Sequence, residues 1–234
     1  MPRRLIQVRP TTTAIQGPVA KLGGQPHWLD TPTWPLAAQS GQQMMFVGQF
    51  PIPRDQTRMA YLFLTDDDDG LAEGYLPEAG DTALLIQPGG RIPTFIHTVP
   101  DATGPSLWRR GASWEEKIPA ELHIDLTPLA PDEERQLEDA IADQDAQRAG
   151  TLREPTTEPP IRSRGQAGYL GGRPLFWQPT SIAVEAPWHF IFQLDSGQED
   201  CNAPTYTLNF GEGGTGYGFL SLDELEGRFY WDCI

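Results

Sequence analysis

Apolar positions in this chain come in short bursts of about five to eight residues, broken by glycine and proline, and long helical stripes are scarce. Residues 4–9 (RLIQVR) read as a short strand. Residues 43–50 (QMMFVGQF) and 59–65 (MAYLFLT) are mostly apolar, aromatic or branched, the signature of largely buried strands. The link PIPRDQT between them carries two prolines, which favour an edge or a turn. Residues 82–87 (TALLIQ) predict a further strand, closed by Pro88-Gly89-Gly90, with 91–99 expected to pair beside it. Residues 121–126 alternate Leu122, Ile124 and Leu126 against His123 and Asp125, the pattern of a half-buried strand. Later strands are expected at 181–185, 189–195 and 228–233. A hairpin of 206–210 and 217–220 is expected across a glycine-rich loop, and a single helical turn at 222–225.

One helix is predicted, from Pro131. Proline suits the first helical position, and Asp132, Glu133 and Glu134 suit the positive end of the dipole. Leu137 and Ile141, four apart, give it a narrow apolar stripe that fades towards Gly150. Residues 153–166 (REPTTEPPIRSRGQ) have almost nothing to bury and read as an exposed or disordered connector.

The pattern occurs twice. LGGQPHW (22–28), FVGQF (46–50) and AYLFLTDDD (60–68) are followed, in the same order, by LGGRPLFW (170–177), FIFQL (190–194) and GYGFLSLDE (216–224). The chain is therefore expected to be one domain over 1–234, made of repeat unit 1 (22–69) and repeat unit 2 (170–224), with a strand, helix and linker region inserted at 71–169. The fold class expected is α+β, mainly antiparallel β-sheet built from an internal duplication, with few helices. Trp28 and Trp177 fall at matching places, and Trp34 sits in a proline-interrupted loop; such aromatics pack a loop down. Gln49 and Gln193 lie at one point of the repeat within runs of large apolar residues. A buried glutamine must pair its donors and acceptor, and backbone groups of the LGG loops are the expected partners.

Charge narrows the partners. With 32 acidic and 17 basic side chains the net charge is −15, which repels nucleic-acid backbones and attracts basic proteins or cations. No apolar run reaches the length of a membrane span and the N-terminus lacks a signal-type core. A cytoplasmic location without membrane contact is expected, with Cys201 and Cys233 as reduced thiols.

Candidate chemistry is mostly excluded by spacing. GEGGTG (211–216) matches a dinucleotide fingerprint but precedes a strand rather than a helix, so a tight turn is expected. The run at 66–70 (DDDDG) fails calcium-loop spacing. His27, His97, His123 and His189 form no zinc pair, and no GxSxG elbow exists. Tryptophans with carboxylates fit a glycan site, though nothing marks a catalytic pair. No cofactor, metal or catalytic residue is assigned.

The chain resembles the YwqG-like family, a bacterial domain family of unknown function. The resemblance rests on LGGQPHW with TWP (33–35), MMFVGQFPI, HFIFQLDS, NFGEGGTGYGF and the terminal WDC, and spans most of the chain outside the connector. It implies a duplicated α+β fold and, from family members near toxin systems, an immunity or partner-binding role; it supplies no catalytic residues. The expectation is a non-enzymatic binding protein for a basic protein, with binding positions at Gln49, Gln193, Trp28, Trp34, Trp177, Asp132, Glu133 and Glu134. The alternative is a small-molecule or glycan-binding domain, or an enzyme, using a cleft between the halves.

Overall fold

A computed structural model describes residues 2–53, 55–66, 74–113, 116–158, 165–184, 186–197, 206–211 and 213–233. The elements in chain order are β1 (Arg4–Pro10), β2 (Lys21–Gly23), β3 (Trp34–Leu36), β4 (Met45–Ile52), β5 (Asp55–Leu64), β6 (Thr82–Gln87), β7 (His97–Val99), β8 (Trp108–Arg110), β9 (Lys117–Pro119) and β10 (Glu121–Pro128). They continue with α1 (Pro131–Arg148), β11 (Gln166–Leu170), β12 (His189–Asp195), β13 (Thr215–Leu220) and β14 (Gly227–Asp232). The α+β, mainly antiparallel reading holds.

Ten strands form one sheet in the order β14-β13-β12-β11-β1-β10-β2-β4-β5-β6, with every neighbouring pair antiparallel. The two outer strands meet: the Thr82 hydroxyl on β6 donates to the Phe229 carbonyl on β14 at 3.0 Å. The sheet thus curls into a nearly closed barrel, which protects both edges. Its interior is filled by alternate side chains from all sides, among them Ile6, Leu62, Leu84, Ile124 and Leu194. Phe50 of β4 stacks on Phe192 of β12 at 4.2 Å between ring centroids, joining the halves through the core. A filled interior of this kind is a packed core, not a ligand channel.

The duplication reaches further than the quoted blocks. One half of the barrel is β10-β2-β4-β5-β6, the other β1-β11-β12-β13-β14. Gln49 pairs with Tyr61, and Gln193 with Tyr217. Each of the two ladders has a register shift at the same point, between Phe46 and Gly48 and between Phe190 and Phe192. β6 and β14, outside the expected units, are counterparts ending at Gln87 and Asp232. β1 and β10 are also counterparts but are exchanged. β1 precedes the first LGG in sequence and pairs with β11 of the second half, while β10 pairs with β2 of the first.

The LGG corners follow from backbone sterics. Gly23 and Gly24 have φ of 64° and 65°, and Gly171 and Gly172 have 81° and 73°, a region costly for other residues. A Cβ on Gly24 would strike the Glu121 side chain; on Gly172 it would strike the side chain of Arg3, the counterpart of Glu121.

Four expectations are corrected. Residues 97–99 do not pair with β6: β7 pairs with β3, so that this segment covers Trp34 on the outer face. Residues 181–184 form no strand; between Pro179 and Pro187 they run as an irregular loop that places Ile182 and Val184 over the second half's aromatics. Residues 206–210 do not make a hairpin with β13. Thr207 bridges to Trp108 instead, its N–H donating to the Trp108 carbonyl at 2.7 Å, and Tyr206, Leu208 and Phe210 plug the barrel end. The turn at 222–225 is not helical. Cys233 is a half-buried thiol. Cys201, Asp67 to Asp69 and residues 159–164 of the connector lie outside the described residues.

Candidate functional site: a cleft between the halves

The glutamines and tryptophans singled out in the sequence belong to two copies of one loop clamp. In the first half the fully buried Gln49 accepts from the His27 N–H at 2.9 Å and donates to the Val19 carbonyl at 2.8 Å. The Tyr61 hydroxyl donates to the His27 carbonyl at 2.7 Å. Gln87, at the end of β6, accepts from the Leu29 and Asp30 N–H groups. In the second half Gln193 accepts from Leu175 N–H at 3.1 Å and the Tyr217 hydroxyl reaches the Leu175 carbonyl at 3.2 Å. Asp232, at the end of β14, accepts from the Trp177 and Gln178 N–H groups. Each of these six side chains bonds the backbone of its own loop, as burial of a polar side chain requires.

The clamps correct the alignment of the tryptophans. His27 corresponds to Leu175, so Trp28 corresponds to Phe176 and Leu29 to Trp177. Trp28 stacks on Tyr61 at 5.2 Å, and Phe176 packs on Tyr217 at 4.9 Å. The extra aromatic in LGGRPLFW had hidden the one-residue offset. Trp34 is fully buried, its indole N–H donating to the Met44 carbonyl at 2.8 Å. Trp177 is 44% exposed, with its indole on Thr215. These positions lie on the outer faces of two separate halves and do not converge.

The copies differ in charge. Where Gln87 is neutral, Asp232 carries a carboxyl raised above its ordinary range by burial, against the lowering effect of Tyr217, Gln178 and Trp177. Burial, with the Asp232 charge beside it, holds the Tyr217 phenol well above its usual value. The Tyr217 hydroxyl donates to Asp232 at 2.7 Å.

The acids of α1 are largely taken up by the protein itself. Glu134 and Glu138 each lie 2.6 Å from the guanidinium of Arg3, whose side chain is wholly buried. Glu133 accepts from the Ala130 N–H and closes the helix start. Asp143 receives the N–H groups of Thr156 and Thr157, and Asp145 pairs with Arg173. Asp132 and Asp139 face solvent.

What does converge is a cleft of about 470 Å³ at one barrel end. The first half contributes Met45, Leu64, Thr65 and Asp66 from the β4–β5 end, Asp81 and Thr82 from the start of β6, and Trp108 of β8. The second contributes Thr207 to Asn209, Gly211 and Trp231 of β14. Trp108 and Trp231 are half-buried, and Tyr75, 49% exposed, meets Trp231 edge-on at 6.2 Å. Asp66 is fixed: it accepts from the Trp108 indole at 3.2 Å and from Lys117 at 2.8 Å, and the ammonium lies 4.7 Å from the Trp108 ring centre. Asp81 is buried and accepts from the Thr65 hydroxyl at 3.2 Å.

Sequence reasoning named Asp66 only as part of an acidic turn and did not single out Tyr75, Asp81, Trp108, Asn209 or Trp231. These come together only when the barrel closes, from segments up to 165 positions apart, and the one legible signal was Trp231 as the first residue of the terminal WDC. Among the described residues no three or more His, Cys, Asp or Glu gather as a metal site. Among the described residues no helix is long and apolar enough to cross a membrane. Comparisons with protein-family models, curated proteins and solved structures return no match.

Proposed function

We propose that the protein is a binding protein whose ligand, a short neutral saccharide or a similarly hydroxyl-rich small molecule, lies in the cleft between its halves. The observation that carries this reading is the convergence of Tyr75, Trp108 and Trp231 with Asp66, Asp81, Thr207 and Asn209 around one cavity. Aromatic faces cover the apolar C–H faces of a sugar, and carboxylate, amide and hydroxyl groups meet its hydroxyls. Asp66 is already neutralised by Lys117, which favours an uncharged ligand over a cation. Titration of the protein with gluco-, malto- and chito-oligosaccharides by calorimetry tests the reading. Saturable binding that Trp231→Ala and Trp108→Ala each weaken at least tenfold supports it. No heat with any saccharide, or binding indifferent to both substitutions, refutes it.

A second reading follows the YwqG-like resemblance: recognition of a basic protein partner. It is favoured by the net charge of −15 and by the outward carboxylates of Asp132 and Asp139. Its support on α1 is narrower than the sequence promised, because Glu133 and Glu134 serve the helix start and Arg3. Capture of a basic protein at low salt that is lost at high salt supports this reading; capture unaffected by salt opposes it.

A further inference from the structure

The two halves treat their outer aromatic faces differently. In the first, Trp34 fills a slot against Trp28 and Phe63, with ring centres 6.1 and 5.2 Å away and both contacts edge-on. Phe46 lies next to Phe63 at 5.3 Å and completes the cluster. The clamp alignment assigns Trp28 to Phe176, Phe46 to Phe190 and Phe63 to Phe219. In the second half these three phenylalanines all line a pocket of about 320 Å³. Trp34 stands twelve residues after Leu22, and the residue twelve after Leu170 is Ile182. Ile182 is half-buried, packs on that aromatic cluster and also lines the pocket. An isoleucine leaves open much of the space that an indole takes in the first half.

We infer that the second half binds a planar aromatic small molecule of indole size in this pocket, between Phe176, Phe190 and Phe219, where the first half holds the side chain of Trp34. Edge-on and offset ring contacts favour flat aromatic occupants over branched aliphatic ones of equal volume. Val184 and Trp188 form the remaining apolar wall, and the Ile141 side of α1 closes the pocket from above. The mouth carries the Arg173–Asp145 ion pair, 2.5 Å, and Gln144, whose amide is fixed on the backbone of Phe176. Polar substituents on the ring would point there. This site is separate from the barrel-end cleft and shares no lining residue with it.

The probe is indole itself, titrated into the full chain by calorimetry, with nuclear Overhauser contacts read to methyl-labelled Ile182 and Val184. The expected result is one site per chain, contacts from indole to both methyl groups, and at least tenfold weaker binding in Ile182→Trp, which supplies the missing indole from within. The methyl contacts in the unaltered protein decide the matter even if Ile182→Trp fails to fold. Absence of saturable binding up to the solubility of indole overturns the inference. So does binding without those contacts, or binding lost in Trp108→Ala, which would put the ring in the cleft. Concentration-dependent self-association abolished by Ile182→Trp would give the slot to a second copy and overturn it as well.

Discussion

Gln7 and Asp125 face each other in the antiparallel ladder of β1 and β10, and each holds in its own half the place the other holds opposite. The register shows this. Arg4 lies beside Leu170, and Leu122 beside Leu22, so β1 and β10 correspond with Arg4 matching Leu122. Under that correspondence Gln7 matches Asp125, its own partner. A pseudo-twofold axis therefore passes through this one pair, and the contacts of one half predict those of the other.

The clamps supply the first prediction. Gln49→Leu removes two backbone bonds in a site with no exposure, and should cost about 1–3 kcal/mol in urea unfolding. Gln193→Leu should fall in the same range, since it strands the Leu175 N–H. A variant as stable as the parent would show that the loop finds other partners.

Phe50 and Phe192 should be coupled. Each truncation to alanine is expected to cost about 3–5 kcal/mol. The double variant should cost less than the sum of the singles by about 0.5–1.5 kcal/mol, the worth of a stacked pair across the core. Strict additivity would mean that the two halves do not share this contact in solution.

Asp232 predicts a pH dependence. Its folded carboxyl is raised by burial, so just above the ordinary carboxylate range the folded state holds more protons than the unfolded one. Stability from this group is then present at low pH and lost as pH rises through the raised value. Asp232→Asn copies the neutral amide that Gln87 provides in the first half and removes the titration. The stability of the variant relative to the parent should therefore increase with pH across that window, measured by urea midpoints from pH 4 to 7. A constant difference would contradict the shift.

The helix acids should separate into two classes. Glu134→Gln with Glu138→Gln leaves the buried Arg3 guanidinium without its carboxylates and should destabilise by roughly 1–3 kcal/mol, less than for a fully buried pair because both acids keep contact with water. Asp132→Asn with Asp139→Asn should leave the melting temperature unchanged. If a basic partner is captured, that second pair should slow its association at low salt. Equal thermal effects from both pairs would contradict the division.

How much of this was legible in the sequence depends on the range of the interaction. Strands β4, β5, β6, β10 and β12 could be read because alternate positions or apolar runs mark them locally, and α1 because Pro131 and its acids mark a helix start. The clamp glutamines stood out because a polar side chain in FVGQF or FIFQL has to be satisfied. The equivalence of Trp28 with Phe176 could not be read, since two adjacent aromatics in the second copy leave the register open until Tyr61 and Tyr217 fix it. The counterpart relation of β1 and β10 was hidden too. RLIQVRP and LHIDLTP share an alternation, but only their pairing shows that they are the same strand. The cleft was the least legible, because Trp108, Asp66 and Trp231 meet through tertiary closure alone.

The exchange of β1 and β10 has a consequence for the chain as a polymer. Neither repeat, taken as a continuous stretch of sequence, contains the five strands of a half-barrel, for each donates its first strand across the axis and receives the other's. A polypeptide carrying one repeat alone would find its missing strand only on a second molecule, as in a domain-swapped pair. The stretch between β6 and β10, which carries β7, β8 and β9, acts as the tether that makes this association intramolecular. It holds the two partners at an effective concentration on the order of millimolar, whatever the dilution of the protein.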